Sequence, residues 1–185
     1  KLLAALAEGK VVALVSDAGT PLVSDPGYRL VGDMVAAGHR VVPIPGASAL
    51  LAALVAAALP TDTFLFAGFL PNRTVGRKKR IAELGAIPAT LVFYESPHRT
   101  LDALIDMVET LGPDRPAVVA RELTKTFETV RRGTLGSLAE AYGGEAPPKG
   151  EIVILIGPPE DTAPEAEEVD TLLVRLLEAH PVRAA

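Results

Sequence analysis

The stretch Ala-Thr-Leu-Val-Phe-Tyr-Glu-Ser-Pro-His-Arg, which runs from Ala89 to Arg99, decides the fold class because it joins a strand to a helix. Residues Ala89 to Tyr94 form a short and mostly apolar run, which predicts a buried strand. From Arg99 to Leu111 the apolar residues recur at helical spacing, and Gly112-Pro113 ends the predicted helix. A strand that leads directly into a helix is the building unit of an α/β protein.

The same unit is predicted on the N-terminal side of this stretch. Val11 to Val15 and Val41 to Ile44 are apolar runs rich in β-branched residues, typical of strands buried on both faces of a parallel sheet. Tyr28 to Ala37 has helical spacing and stops at Gly38. An Ala/Leu-rich helix follows Ser48 and ends before Pro60. The alternation of strands and helices predicts a parallel α/β arrangement.

The C-terminal side continues this alternation. Strands are predicted at Thr63–Phe66, Ala117–Ala120, Glu128–Gly133 and Glu151–Ile156, and helices at Val75–Leu84 and Leu135–Tyr142. Apolar and polar residues alternate from Phe127 to Arg132, which predicts an antiparallel strand with one wetter face. We therefore expect two α/β domains, residues 1–62 and 63–158. Residues 159–185 should form an acidic linker and begin a helical module, with a helix from Glu167 to Ala179.

Composition narrows the classes of function. With 185 residues, 49% of them hydrophobic, the chain can build a real core. It contains no cysteine, which excludes a disulfide framework and a thiol nucleophile, and His39, His98 and His180 are scattered, so no metal site is expected. No apolar run is long enough to cross a bilayer, and no segment resembles a secretory signal. We expect a cytoplasmic protein.

The net charge of −5 does not argue against a nucleic-acid substrate, because of its distribution. Seven acidic and two basic residues from Pro158 onward account for all of it, so the preceding residues are neutral. A basic cluster stands out within the neutral part: Arg73, Arg77, Lys78, Lys79 and Arg80. The cluster is either an RNA-phosphate contact or a solvated helix face.

Two loops in the N-terminal half carry residues suited to a ligand. In Ser16 to Pro21, Asp17 can accept hydrogen bonds from a ligand amine and Gly19 lets a ligand approach the backbone, although Asp17 also suits a self-ordering turn. In Pro45 to Ala49, small residues lead into a helix N-terminus with free N–H donors, although tight helix–sheet packing explains them equally. Asp25-Pro26-Gly27 is interpreted as a turn and helix start.

Two further loops lie in the C-terminal half. Ser96-Pro97 predicts a helix N-cap followed by proline at the first helical position, whereas Glu95, His98 and Arg99 have no evident packing role. The loop Arg121–Thr129 places both charge signs beside hydroxyls, which suits a zwitterion or phosphate, or else a solvated loop with weak ion pairs. Since all four loops follow predicted strands or precede helices at one sheet edge, we expect them to form one pocket.

Six segments together resemble one family. They are Ser-Asp-Ala-Gly-Thr-Pro-Leu-Val-Ser-Asp-Pro-Gly (Ser16–Gly27), Pro-Ile-Pro-Gly-Ala-Ser-Ala (Pro43–Ala49), Phe-Ala-Gly-Phe-Leu-Pro (Phe66–Pro71), Phe-Tyr-Glu-Ser-Pro-His-Arg (Phe93–Arg99), Ala-Arg-Glu-Leu-Thr-Lys-Thr-Phe-Glu (Ala120–Glu128) and Lys-Gly-Glu (Lys149–Glu151). In this order the segments resemble the tetrapyrrole methylase superfamily, the class III methyltransferases. Within that superfamily they look like the cytidine-specific ribose 2′-O-methyltransferases of 16S ribosomal RNA.

The resemblance implies two α/β domains with S-adenosyl-L-methionine in the cleft between them, in a homodimer that acts on 16S rRNA, as naked RNA or in the small ribosomal subunit. It also implies a glycine-rich first strand and loop before Lys1 and further helices after Ala185, so we expect part of the cofactor site to lie outside this sequence. The implied cofactor contacts are Asp17, Ala18, Gly19, Thr20 and Pro21 on the methionine side, Ala47, Ser48 and Ala49 through the backbone, and Tyr94 with the loop 121–125 from the second domain.

The expected reaction is methyl transfer from the sulfonium to a ribose hydroxyl, which needs alignment and benefits from a base or a nearby cation. The candidates are Lys125, Glu122, Arg121 and Glu95. Two alternatives remain open: methylation of a tetrapyrrole or a diphthamide precursor by the same fold, and a nonenzymatic RNA-binding or ribosome-assembly module. The basic cluster favours RNA, and cofactor binding distinguishes an enzyme from a binding module.

Overall fold

The computed structural model describes residues 1–160. Within these residues the chain forms six α-helices, one short 3₁₀ helix and five strands. The helices are α1 (Leu2–Ala7), α2 (Tyr28–Ala36), α3 (Ala49–Ala57), α4 (Thr74–Gly85), α5 (Thr100–Leu111) and α6 (Leu135–Gly143), with the 3₁₀ helix at Pro97–Arg99. The strands are β1 (Phe64–Phe69), β2 (Thr90–Glu95), β3 (Pro116–Arg121), β4 (Thr129–Thr134) and β5 (Ile152–Ile156). No helix in this described part is long and apolar enough to cross a membrane.

The five strands form one mixed sheet in the order β1-β2-β5-β3-β4. Only β1 and β2 pair in parallel, whereas β5 runs antiparallel to both β2 and β3. In register, Ile152 at the start of β5 lies opposite Glu95 on one side and Arg121 on the other. The carboxyl ends of β2 and β3 and the amino end of β5 therefore meet at one edge of the sheet.

The sheet is covered by helices on both faces. Leu91 and Phe93 of β2 pack on one face with α4, α5 and α6, while Val92 packs on the other face with α3. Successive strand residues alternate between the faces, so β2, β3 and β5 are apolar at nearly every position. Each fully buried leucine or phenylalanine contributes about 1.5–3 kcal/mol to folding, which makes this double-sided core the rigid support for the sheet edge.

Helix α3 links the N-terminal segment to the sheet. Ser48 caps it, since its hydroxyl oxygen accepts a hydrogen bond from the Leu51 N–H at 3.4 Å. Ala53, Leu54 and Ala57 are buried against the sheet. The helix ends at Ala58, which adopts a left-handed conformation at φ 58°. The division into domains 1–62 and 63–158 stays a prediction, but α3 shares its core with the second of those units.

Most predicted elements of the C-terminal half are confirmed, including the antiparallel strand β4. The predicted strands Val11–Val15 and Val41–Ile44 are wrong, because the structure forms no strand at either run. Val11 is 98% exposed, and a strand also needs a neighbouring backbone to satisfy its N–H and C=O groups. Neither run pairs with another strand among residues 1–160. The parallel arrangement is likewise corrected to a mixed sheet, and the predicted helix Glu167–Ala179 lies outside the described residues.

Candidate functional site

A cavity of about 340 Å³ opens at the sheet edge where β2, β3 and β5 meet. It is lined by residues 18–20, 48–49, 94–97 and 150–153, with Val23 and Phe69. Three of the four loops singled out in the sequence thus border one pocket. The fourth loop, residues 121–129, reaches it through contacts with Glu151.

The first two loops are joined to each other at the cavity. The Thr20 hydroxyl donates a hydrogen bond to the Ala47 carbonyl at 3.0 Å. Gly19 has a φ of +68°, a conformation that favours glycine, and a Cβ added there would meet only the Ala47 carbonyl, at 4.0 Å. The backbone of Gly19 is therefore open to close approach by a ligand. Asp17 is exposed and, like Pro21 and Ala47, does not line the cavity.

Tyr94 forms the wall between α3 and the sheet. Its hydroxyl oxygen accepts a hydrogen bond from the Leu50 N–H at 3.2 Å, and its ring packs edge-on against Phe66 and Phe69. Burial raises the pKa of Tyr94, against the opposing effect of the Leu50 N–H. The residue therefore presents a neutral phenol ring to the cavity.

Glu95 borders the cavity but its side chain is fully enclosed. It accepts hydrogen bonds from the Ser96 N–H at 2.7 Å and from Arg99 at 3.2 Å. Burial raises the pKa of Glu95, while Ser96 and Arg99 lower it. Arg99 also donates to the carbonyls of Leu70 and Pro71, at 2.8 and 3.1 Å. Glu95 and Arg99, for which the sequence suggested no packing role, thus fix the end of β2 to the segment after β1. His98, the third such residue, is exposed.

Arg121 is turned toward its own loop. It donates to the Thr129 hydroxyl at 3.2 Å and to the carbonyls of Lys149 and Phe127, at 3.2 and 3.1 Å. These bonds tie the end of β3 to the start of β4 and to the segment before β5. In this geometry Arg121 supports the sheet edge.

Lys125 bridges two carboxylates beside the cavity. Its Nζ lies 2.9 Å from Glu122 Oε1 and 3.0 Å from Glu151 Oε2. Hydrogen bonds to Glu122 and Glu151 raise the pKa of Lys125. The hydrogen bond from Lys125 and the one from the Glu151 N–H lower the pKa of Glu122. Both groups are therefore held in their charged forms, which makes Lys125 a cation and not a proton acceptor.

The basic cluster does not form one surface. Arg77 is only 3% exposed, and its Nε lies 2.6 Å from Asp106 Oδ2, so its expected contact with RNA is corrected to a buried pair that joins α4 to α5. Lys78 pairs with Glu109 and lies 3.7 Å from Asp106. The remaining members are exposed: Arg73, Lys79 and Arg80, of which Arg80 pairs with Glu83 at 3.2 Å.

The site has members that the sequence reasoning did not select. Phe69, Gly150 and Glu151 line the cavity. Their only signal in the sequence was the family resemblance, which includes the segments Phe66–Pro71 and Lys149–Glu151. Among residues 1–160, no group of three or more His, Asp or Glu side chains is arranged to hold a metal ion.

The fold agrees with comparisons to known proteins. Residues 1–139 match the family described as Tetrapyrrole (Corrin/Porphyrin) Methylases. The chain belongs to this family of methylases. The solved structure of the methyltransferase CobJ is similar, with 25% identity and a TM-score of 0.61 over 84% of this chain and 68% of that one. Uroporphyrin-III C-methyl transferase from Thermus thermophilus, complexed with S-adenosyl homocysteine, shares the fold at 22% identity and a TM-score of 0.51, covering 74% and 62% of the two chains.

Particular relatives have much higher identity. The chain is 57% identical over all 185 residues to Ribosomal RNA small subunit methyltransferase I of Mesorhizobium japonicum, and covers 63% of that protein. It is 49% identical over 169 residues to the protein of the same name from Pseudomonas aeruginosa, with 91% of this chain and 59% of the relative covered. The chain thus spans about three fifths of the length of these relatives.

Proposed function

We propose that the protein transfers a methyl group from S-adenosyl-L-methionine to the ribose 2′-hydroxyl of a cytidine in 16S rRNA. The observation that carries this proposal is the 57% identity, along the whole chain, to a protein named as a small-subunit rRNA methyltransferase. The family match and the cavity at the sheet edge support the same conclusion. We also propose that it works in the cytoplasm and that, as the family resemblance implies, it forms a homodimer.

The cavity residues fit the cofactor. A volume of about 340 Å³ lies in the range of small-molecule sites, about 300–1,000 Å³. Gly19 has no side chain to keep a ligand away from its backbone, and Ala49 places only a methyl group in the cavity wall. Tyr94 and Phe69 supply aromatic surface for a nucleoside, and Glu151 supplies negative charge for a cationic ligand. We therefore assign Gly19, Thr20, Ser48, Ala49 and Tyr94 to the proposed cofactor site, with Ala18 beside them.

The chain's own residues contribute alignment and charge. S-adenosyl-L-methionine supplies an already activated methyl group when bound, so the protein has to bring the ribose oxygen to about 3–3.5 Å from it. As the new O–C bond forms and the sulfonium C–S bond breaks, the hydroxyl proton passes to solvent water. Lys125, whose raised pKa keeps it protonated, cannot accept that proton but can stabilise negative charge on the ribose oxygen. The enclosed side chain of Glu95 and the hydrogen bonds of Arg121 to its own loop support the structure around the cavity. Glu122 holds Lys125 in place through their ion pair. Positioning is then the main catalytic contribution.

We propose that RNA phosphates bind the exposed members of the basic cluster. Arg73 and Lys79 are exposed and have no carboxylate partner in the described part of the chain, unlike Lys78 and Arg80. The double variant Arg73→Ala/Lys79→Ala should weaken RNA binding and lower the slope of log affinity against log salt by about 1–2. Arg40→Ala, which removes an exposed cation outside the cluster and the cavity lining, is the control. An unchanged slope in the double variant would make the cluster a solvated helix face.

The direct test uses small ribosomal subunits that lack the modification. We expect the intact protein to transfer labelled methyl from the cofactor to one cytidine ribose of 16S rRNA, mapped by nuclease digestion and mass spectrometry. Naked 16S rRNA, as a parallel substrate, shows whether the assembled subunit is required. A methyl group on a base, or the absence of transfer to rRNA, would contradict the proposal.

A second candidate keeps the chemistry and changes the substrate. The match to the family described as Tetrapyrrole (Corrin/Porphyrin) Methylases favours a tetrapyrrole. A structure of diphthine synthase also shares the fold, at 15% identity and a TM-score of 0.52. Label found in a tetrapyrrole or in a diphthamide precursor, with none in rRNA, would select these alternatives. RNA binding without any cofactor binding would select a ribosome-assembly module.

A further inference from the structure

We infer that Glu151 recognises a cationic group of the ligand bound in the cavity, and that Glu122 is the positioning residue that aims it. This inference rests on the proposed function, because it takes the cavity as the cofactor site. Neither role follows from the family match or from the names of the relatives. Glu122 and Lys125 hold Glu151 in place, and the Glu151 side chain remains accessible at the cavity.

Glu151 is fixed at its backbone and at its side chain. Its N–H donates to Glu122 Oε1 at 2.9 Å, and its carbonyl accepts a hydrogen bond from the Glu122 N–H at 3.0 Å. Its own carboxylate accepts a hydrogen bond from Lys125 at 3.0 Å. Three contacts from one loop thus define where the Glu151 carboxylate lies, while the side chain stays 66% exposed.

Gly150 makes this arrangement possible. Its φ of +94° lies in the region that favours glycine, and a Cβ added there would approach the Glu122 carboxyl group to 2.3 Å. Any larger residue would push Glu122 away from the Glu151 N–H. The Lys-Gly-Glu segment is therefore explained by the contact between the two glutamates, with the glycine as the spacer between them.

Among the described carboxylates, Glu151 is the accessible one that lines the cavity. Glu95 also lines it, but its side chain is fully enclosed, whereas the Glu151 side chain stays accessible beside its partner Lys125. Asp17 is exposed but does not line it. The charge of Glu151 acts on the cavity wall, since it contributes to the raised pKa of Tyr94. A cationic ligand group near Tyr94 would meet this carboxylate.

The test compares ligands with and without positive charge. S-adenosylmethionine carries an ammonium and a sulfonium, S-adenosylhomocysteine carries the ammonium alone, and 5′-methylthioadenosine carries neither. By calorimetric titration of the intact protein, Glu151→Gln should bind S-adenosylmethionine about tenfold more weakly, as expected when one charge-assisted hydrogen bond is lost. Its affinity for 5′-methylthioadenosine should not change. If Glu151→Gln weakens the binding of S-adenosylhomocysteine as much as that of S-adenosylmethionine, the contact is with the ammonium. If it weakens the binding of S-adenosylhomocysteine less, the contact is with the sulfonium.

Matched variants separate recognition from stability. Glu145→Gln removes another exposed, ion-paired glutamate, which pairs with Arg131 away from the cavity, and should leave all three affinities unchanged. Glu122→Ala should lower the ratio of S-adenosylmethionine to 5′-methylthioadenosine affinity, and Glu122→Gln, which can still accept the Glu151 N–H, should restore it. Unchanged S-adenosylmethionine affinity in Glu151→Gln, or equal weakening of the neutral ligand, would overturn the inference. Failure of the unsubstituted protein to bind any of the three would overturn the proposed function, and this inference with it.

Discussion

The Leu50 N–H donates a hydrogen bond of 3.2 Å to the hydroxyl oxygen of Tyr94, and this contact joins the first turn of α3 to the end of β2. The two residues are 44 positions apart and come from the two predicted domains. A free N–H at a helix start normally needs a capping partner. Here a side chain of the sheet supplies it, so the wall of the cavity is itself the connection between the N-terminal segment and the sheet.

Replacing Tyr94 by phenylalanine should weaken this connection. The variant keeps the ring contacts with Phe66 and Phe69 but leaves the Leu50 N–H without its partner, so we expect a loss of about 1 kcal/mol in unfolding free energy. Affinity for S-adenosylmethionine should fall several-fold in calorimetric titration. Tyr28→Phe is the control, because Tyr28 is 71% exposed. Equal behaviour of the two variants would mean that the Tyr94 hydroxyl has no role.

Asp17→Ala tests the loop that the sequence selected most strongly. Asp17 lies outside the cavity but directly precedes Ala18 and Gly19 of its lining, so we expect its replacement to lower cofactor affinity. The loss should be roughly 1.5–3 kcal/mol where a hydrogen bond to a charged group goes with it. Titration with S-adenosylmethionine and a thermal melt of the same variant measure both effects, with exposed Asp114 as the alanine control. A lowered melt with intact affinity would assign Asp17 to the turn alone.

Breaking the buried pair of Arg77 and Asp106 should destabilise the fold. Arg77→Met leaves the Asp106 carboxylate, 6% exposed, without its guanidinium partner, and such a loss costs about 3–5 kcal/mol. Urea unfolding measures this, and Arg80→Met, in the exposed pair with Glu83, should cost less than about 1 kcal/mol. The double variant Arg77→Met/Asp106→Leu should recover most of the loss. A single Arg77→Met variant as stable as Arg80→Met would contradict the structural role.

The raised pKa of Glu95 predicts a pH dependence of stability. Since the folded state binds this proton more tightly than the unfolded chain, ionisation of Glu95 destabilises the fold as pH rises from the ordinary glutamate value toward the raised one. Glu95→Gln cannot ionise, so its stability relative to the parent protein should increase over that range. Glu145→Gln should show a small opposite trend, because Arg131 lowers the pKa of Glu145. A pH-independent difference between Glu95→Gln and the parent would contradict the raised pKa.

Sequence alone predicted the C-terminal half well because its strands pair with each other. Runs such as Ile152–Ile156 are apolar on both faces, and each has neighbours in the same sheet. The run Val11–Val15 has the same composition but no strand beside it among residues 1–160, and composition does not reveal whether a partner exists. The sequence also did not show the direction of the strands. Strand β5 runs antiparallel between β2 and β3, yet it is as apolar as a buried parallel strand.

The candidate site was predicted by position more than by role. Loops at strand ends led to Gly19, Ser48 and Tyr94, all of which line one cavity. The sequence could not show that Arg77 is buried, because it looks the same as the exposed basic residues beside it on the helix. Its burial depends on Asp106, the partner on the neighbouring helix, which only the structure identifies. Glu151 was not selected as an individual residue because its role depends on Glu122, which is 29 positions away.

The most direct test of the cavity as the cofactor site is a crystal structure of the intact protein with S-adenosylhomocysteine. We expect the ligand to contact Gly19 and Ala49 on one side and Tyr94 and Glu151 on the other, so that both predicted domains hold it. A ligand bound outside this cavity, or held by residues 1–62 or 63–158 alone, would contradict the account.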